Sequence, residues 1–258
     1  MKKLVLDLNI KENRRLSDQY VLLVLNSADK LPEMLPGQFV EVRVDGASTV
    51  FLRRAISIHF IDYLTNELSL LIQVVGEGTK RLAELKAGDN LNLILPLGNS
   101  FTIPSSTDTR VLLVGGGVGV APLLYLGSIL KNKGFEVNFL LGARSKADLL
   151  QLCEFEKFGN VYTTTEDGSH GEKGYVTQHS ILGGSNFDLI YTCGPTPMMR
   201  AVAAYAAKSK VECEVSLENT MACGIGTCLC CVTDSIDGHV CVCTVGPIFN
   251  ITKLKWQI

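Results

Sequence analysis

The sequence predicts a β-barrel followed by a doubly wound α/β domain and a short cysteine-rich segment. Three observations predict it. The first hundred residues hold short apolar runs cut by turn residues, the pattern of a barrel or sandwich. From about residue 108, strand-like runs alternate with helix-like ones, which implies a parallel sheet. Six of the nine cysteines then crowd between positions 223 and 243. The expected boundaries are 1–103, 104–215 and 216–258.

In the first part the strands read as Tyr20-Val-Leu-Leu-Val-Leu, Gln38-Phe-Val-Glu-Val-Arg-Val, Ala55-Ile-Ser-Ile-His-Phe, Leu68-Ser-Leu-Leu-Ile-Gln-Val-Val and Leu91-Asn-Leu-Ile-Leu. Pro36-Gly37, Gly76-Glu-Gly78 and Gly88-Asp89 separate them. One helix is expected from Thr79, its N-cap, to just before Gly88. In the second part Arg110-Val-Leu-Leu-Val is a buried strand. A glycine loop, Gly115 to Pro122, follows it and leads into an apolar helix ending near Lys131. Further strands are expected at 134–142, 161–165 and 188–193, and a helix from Thr196 to about Lys208. The segment from 216 has no periodic apolar face, so it needs a metal to hold it together.

The bulk composition excludes several classes. A hydrophobic content of 47% against 19% charged residues leaves ample material for a core. A net charge of −2 gives no field that favours nucleic acid or an anionic membrane. No run approaches the 18 or so apolar residues of a membrane span, and the start lacks the apolar stretch of a secretory signal. The expected location is cytoplasmic. In a reducing compartment, clustered cysteines point to a metal rather than to disulfides. Cys153 and Cys213 are expected as small buried residues.

The spacing is Cys223-x4-Cys228-x2-Cys231-x11-Cys243. Its first three members match the loop of plant-type [2Fe–2S] centres, C-x4-C-x2-C with a distant fourth cysteine. Gly224 and Gly226 let the backbone wrap closely and aim N–H groups at the sulfurs, which stabilises the reduced state. Cys241 competes with Cys243 for the fourth place, and Cys230 adjoins Cys231. Zinc is the competing metal, although structural zinc sites usually pair two short C-x2-C knuckles.

Two turns suit a nucleotide. Gly115, Gly116, Gly117 and Gly119 lie between a strand and a helix, where amides and a helix N-terminus meet a diphosphate. Cys193-Gly194-Pro195 closes a later strand of the same sheet. In the first domain, Arg54 can pair with a diphosphate and Ser57 can reach a flavin edge. An arginine pair on a strand edge is also a common solvated face. Gly78 and Thr79 open the helix, where an anion would be favoured. No Ser-His-Asp or paired-carboxylate constellation is evident, so no catalytic residue is assigned. His59, His170, His179 and His239 are scattered and none is read as a ligand. Arg144, after the second strand of the sheet, is a candidate for a 2′-phosphate or simply a surface residue.

Together Arg54-x-x-Ser57, Gly76-x-Gly78-Thr79, the loop Gly115 to Pro122 and Cys193-Gly194-Pro195 resemble the ferredoxin reductase superfamily. The resemblance extends over essentially the whole chain. Met221-Ala-Cys-Gly-Ile-Gly-Thr-Cys and Cys243-Thr-Val-Gly-Pro-Ile-Phe249 are similar to the electron transfer subunits of type B dihydroorotate dehydrogenases. Pro36-Gly-Gln-Phe-Val, Phe51-Leu-Arg-Arg, Pro96-Leu-Gly-Asn and Thr165-Glu-Asp-Gly-Ser fit them as well. Three positions depart from the family pattern: Ala55 stands for Pro, Val245 for Asp, and Gln73 for a common Arg, which weakens one flavin diphosphate contact. The cysteine loop is also short.

The resemblance implies a ferredoxin-reductase-like fold that binds FAD, NAD and a [2Fe–2S] cluster. It places FAD on Arg54, Ala55, Ile56, Ser57, Leu71, Ile72, Gln73, Gly78 and Thr79, and the cluster on Cys223, Cys228, Cys231 and Cys243. It implies a partner, an FMN-containing dihydroorotate dehydrogenase catalytic subunit in a heterotetramer, and a role in pyrimidine biosynthesis. Electrons from the FMN would pass through the cluster and FAD to NAD+. Two alternatives remain: the flavin subunit of a sulfhydrogenase or bifurcating ferredoxin–NADP reductase, and a zinc-stabilised binding module without activity.

Overall fold

In the computed structural model, which describes residues 2–184 and 186–256, the chain begins with strand β1 (Leu4–Arg15). It continues with β2 (Tyr20–Asn26), β3 (Phe39–Val42), β4 (Arg54–Asp62), β5 (Glu67–Gln73), helix α1 (Glu77–Ala83) and β6 (Asn90–Leu97). The strand order is β1-β2-β5-β4-β3-β6, closed by antiparallel pairing of β6 with β1. Closure removes the exposed edges an open sheet would carry. Leu8, Leu23, Leu25, Ile58, Leu68, Leu70 and Leu93 are wholly buried and fill this unit.

Two expectations for this region are corrected. The strand β1 was not foreseen, although Leu4, Leu6, Leu8 and Ile10 alternate with polar or exposed residues and mark it. The N-cap of α1 is Gly76, not Thr79. Thr79 lies one turn inside, where its hydroxyl accepts from the amides of Val75 and Gly76 at 2.9 and 3.1 Å. It satisfies the helix entrance from within, as the third residue of a capping box does.

The second part runs β7 (Val111–Gly116), α2 (Ala121–Asn132), β8 (Val137–Ala143), α3 (Leu152–Glu156), β9 (Asn160–Thr165), β10 (Glu172–Lys173), α4 (Ile181–Gly184), β11 (Leu189–Cys193), α5 (Thr196–Ser209) and β12 (Glu212–Ser216). The tail adds β13 (Val232–Ser235), β14 (Gly238–Cys241), α6 (Val242–Val245) and β15 (Ile248–Asn250). The seven-stranded sheet has the order β10-β9-β8-β7-β11-β12-β15. All its pairs are parallel except the last, where β15 runs antiparallel to β12.

The chain moves outward from β7 through β8, β9 and β10, then returns to the other side of β7 for β11 and β12. This reversal makes the space between β7 and β11 a topological switch point, where open α/β sheets bind ligands beyond the carboxyl ends of the strands. The strand interiors are apolar because helices cover both faces. Gly127 of α2 admits the ring of Phe139, which meets Phe155 edge-on at 5.0 Å. Cys213 is buried as expected, whereas Cys153 is exposed on α3, so its expected burial is corrected.

The chain divides into two units. One comprises Met1–Ser100, Asn219–Thr233 and Val240–Pro247; the other comprises Phe101–Glu218, Asp234–His239 and Ile248–Ile258. The cysteine-bearing tail segments thus belong with the barrel, and β15 with the sheet. Among the described residues, no helix is long and apolar enough to cross a membrane.

Candidate functional site

The ladder between β4 and β5 is incomplete. The ladder between β4 and β5 runs from Asp62↔Glu67 to Ile58↔Leu70. Beyond Ile58, residues Arg54, Ala55, Ile56 and Ser57 pair with β3 instead, through Val42, Glu41, Val40 and Phe39. Leu71, Ile72 and Gln73 continue along β5 paired with β2. The stretches 54–57 and 71–73 therefore flank a split in the sheet, where strand edges can meet a planar ligand. Leu71 and Ile72 bury their side chains, so only their backbone can serve such a ligand.

The two arginines behave differently. Arg53 donates to the carbonyls of Glu41 and Asn92 and to Asn92 Oδ1, so it is a structural strut. Arg54 lies against the first turn of α1: a Cβ on Gly78 would come within 2.7 Å of its Nε. A larger residue at 78 would displace the guanidinium. The arrangement puts a guanidinium beside a glycine turn, a fitting cradle for a diphosphate. Gln73 Nε2 donates to the hydroxyl of Tyr20 at 3.3 Å.

The thiols gather in one unit, Cys223 beside Cys228 and Cys231 beside both Cys243 and Cys241. The amide of Cys228 donates to Cys223 Sγ at 3.4 Å, and the amide of Cys243 donates to Cys231 Sγ at 3.4 Å. Gly224 and Gly226 have φ of +66° and +88°, a left-handed turn that L side chains adopt only with strain. Desolvation would raise the Cys223 thiol, but the amides of Ile225, Cys228 and Thr227 outweigh it and draw the thiol down to about 6. Burial, then the neighbouring Cys231 thiol, pushes Cys243 up. Cys231 and Cys243 are buried, Cys241 is half-buried, and Cys228 and Cys230 are exposed.

Among the described residues, no three His, Cys, Asp or Glu side chains converge on a single ion position. A two-iron centre asks for two pairs of thiolates with amides aimed at sulfur, and this loop offers both. The tail is stitched to the barrel where β6 ends. The amide of Asn99 donates to the Gly246 carbonyl at 2.7 Å, and its side chain donates to the Val245 carbonyl at 2.8 Å.

In the other unit the two nucleotide turns meet at the switch point. Gly115 and Gly116 end β7, and Gly117 and Gly119 shape the turn into α2. Cys193 pairs with Gly115 across β11 and β7. Gly194 and Pro195 lead into α5. A Cβ on Gly119 would stand 2.4 Å from the Gly194 Cα, so the turns touch backbone to backbone. Two helices, α2 and α5, begin here, each turning the positive end of its dipole to the switch point.

One neighbour was not anticipated from the sequence. Glu218 Oε1 lies 3.7 Å from Cys193 Sγ, and burial raises its carboxyl. No local pattern marks it; only the fold brings it to the strand end. Arg144 is exposed. His170 and His179 are engaged by Thr163 and Glu172.

Residues 218–255 match the model of the iron-sulfur cluster binding domain of dihydroorotate dehydrogenase B, and residues 113–204 that of the oxidoreductase NAD-binding domain. The dihydroorotate dehydrogenase B (NAD(+)) electron transfer subunit of Shouchella clausii is 38% identical over 250 residues, 95% of each chain. That of Caldanaerobacter subterraneus subsp. tengcongensis is 39% identical, covering 93% of this chain and 94% of that one. Among solved structures, an NADH-dependent reduced ferredoxin-NADP oxidoreductase studied for flavin-based electron bifurcation superposes with a TM-score of 0.87. It is 30% identical and covers 96% of this chain and 90% of its own. The cytochrome b5 reductase domain of Ulva prolifera nitrate reductase shares the fold, with a TM-score of 0.67 over 80% of this chain and 93% of that domain, at 17% identity.

Proposed function

This chain belongs to the family of electron transfer subunits of dihydroorotate dehydrogenase B (NAD(+)), and from that premise we propose that it connects a catalytic dehydrogenase subunit to NAD+ in pyrimidine biosynthesis. The partner is an FMN-containing dihydroorotate dehydrogenase, in a cytoplasmic heterotetramer. Functionally, 1–103 holds FAD, 104–215 holds NAD and 216–258 holds the cluster.

One observation carries this reading. The thiol loop packs on the barrel one strand away from the split in its sheet: Gly224 lies against Glu41 of β3, and Glu41 pairs with Ala55 of β4. A one-electron centre and a flavin placed there would be neighbours. When bound, FAD supplies hydride exchange with NAD, and the [2Fe–2S] cluster supplies one-electron transfer.

The chain's own residues do the positioning. Arg54, Gly78 and Thr79 receive the FAD diphosphate at the entrance of α1. Ala55, Ile56 and Ser57, with the backbone of Leu71, Ile72 and Gln73, hold the flavin edge. Gly115, Gly116, Gly117 and Gly119, with Cys193, Gly194 and Pro195, seat the NAD diphosphate and nicotinamide. Cys223, Cys228, Cys231 and Cys243 hold the cluster, with amide N–H groups aimed at their sulfurs. Binding, orientation and electrostatic tuning are the protein's share of such chemistry.

The test is reconstitution. Co-purified with an FMN dehydrogenase, the chain should support dihydroorotate-dependent NAD+ reduction. Alone it should pass electrons from NADH to a dye and leave dihydroorotate untouched. A colourless protein with stoichiometric zinc sinks the redox reading. Failure to couple to the dehydrogenase, together with NADH-linked ferredoxin reduction in another complex, would favour the bifurcating reading that the similarity to the oxidoreductase keeps in view.

A further inference from the structure

Glu41 is the only charged side chain of β3 and is fully buried among the described residues. Neither of its carboxyl oxygens has a hydrogen-bond partner. An acid in that position costs the fold free energy that Val or Leu would not. Its neighbours Val40 and Val42 show that the strand itself needs no acid. Arg53 gives the carboxylate no hydrogen bond: its guanidinium is engaged by the Glu41 backbone carbonyl and by Asn92.

What the carboxyl does face is the thiol loop. A Cβ on Gly224 would stand 2.5 Å from Glu41 Cγ and 2.9 Å from Glu41 Oε1. Gly224 follows Cys223 directly, so the acid supports the turn that sets the first thiolate. The charged and titratable groups around it are Arg53 and Arg54, on the neighbouring strand side, and Cys223 on the loop. Burial dominates and raises the Glu41 carboxyl to about 7; the arginines oppose it and Cys223 adds to it.

We propose that Glu41 is a positioning residue of the thiol loop whose carboxylate sets the reduction potential of the cluster held by Cys223, Cys228, Cys231 and Cys243. The inference rests on the cluster site of the preceding section. A negative charge in a poorly solvated place beside the centre disfavours an added electron, because the interaction is weakly screened there. Charge and hydrogen bonding around the sulfurs are recognised levers on such potentials. The acid is thus retained against its cost to folding because it adjusts the centre above it.

The experiment is an EPR-monitored redox titration of the complex with its catalytic partner, at pH 9, for the natural chain and for Glu41→Gln. At pH 9 the Gln variant should have the higher cluster potential, by about 59 mV or more, a tenfold change in a one-electron equilibrium. Coincident potentials overturn the proposal. Should Glu41→Gln retain no iron, Glu41→Asp takes its place: the shorter side chain draws the charge away from the loop, so a raised potential supports the proposal and an unchanged one overturns it. Iron content and the visible spectrum of the natural chain are read first. A chain without iron overturns the cluster reading itself, a result distinct from unshifted potentials.

Discussion

The backbone amide of Cys243 points at the sulfur of Cys231, 3.4 Å away, and both residues are shielded from solvent. Cys241, two residues earlier, is half-buried. An amide aimed at a thiolate stabilises its negative charge and fixes its direction. Cys243→Ser should therefore lose most of the bound iron and its visible absorption. Cys241→Ser should keep the spectrum of the natural chain. The reverse outcome would exchange the two assignments.

Arg54 is the guanidinium beside the first turn of α1. Charge-assisted hydrogen bonds of this kind contribute about 1.5–3 kcal/mol. Arg54→Ala should loosen FAD by roughly 10- to 100-fold, as that range converts at 1.4 kcal/mol per decade. Flavin retained through gel filtration, and titration of the stripped protein with FAD, would measure it. Unchanged retention would remove Arg54 from the flavin site.

The contact between Gly119 and Gly194 leaves no room for a methyl group. Gly119→Ala must push the two nucleotide turns apart, since the obstructing atoms are backbone. We expect a raised KM for NADH in dye reduction, with the FAD and iron–sulfur spectra intact. A variant with natural NADH kinetics would show that the turns do not hold the dinucleotide.

Tyr191 is fully buried in β11, edge-on to Phe101 at 5.4 Å, and its hydroxyl donates to the Thr102 carbonyl at 2.6 Å. Glu214 accepts from the amide and hydroxyl of the same Thr102 at 2.9 and 2.6 Å. Tyr191→Phe deletes one buried hydrogen bond and keeps the ring, so it should cost about 0.5–1.5 kcal/mol. Chemical denaturation of the natural chain and the variant would show it as a lower midpoint at constant slope.

Asp188 is paired with Arg110 through two hydrogen bonds of 2.9 and 3.0 Å, which hold its carboxyl at about 2, well below the ordinary carboxylate range. The folded state therefore releases this proton more readily than the unfolded state. Its stabilisation is complete above about pH 4 and is lost as pH falls through about 2. The pair is exposed, so salt also weakens it. The difference in urea midpoint between the natural chain and Asp188→Asn should shrink from pH 5 to pH 3. A difference that grows would contradict the sign.

Much of this molecule is legible along the chain because its signals are local. The cysteine spacing, the change from short β runs to alternating strands and helices, and the glycine turns after Val114 and Cys193 are all set by neighbours within a few residues. Other features arise only when distant segments meet. Strand β1 is recognisable in hindsight by alternation, but closing the barrel is what gives that alternation a core to face. Thr79 looks like a cap from its position, yet the N-cap is Gly76 because the hydroxyl turns back to the preceding amides. The split between β4 and β5 depends on which strand β3 captures. Glu41 reads as one polar residue in an apolar strand until the tail folds over it. Local periodicity determined the elements and the thiol pattern; the burial of one carboxyl beneath Gly224, and of Cys243 rather than Cys241, was decided by packing between segments that the sequence keeps far apart.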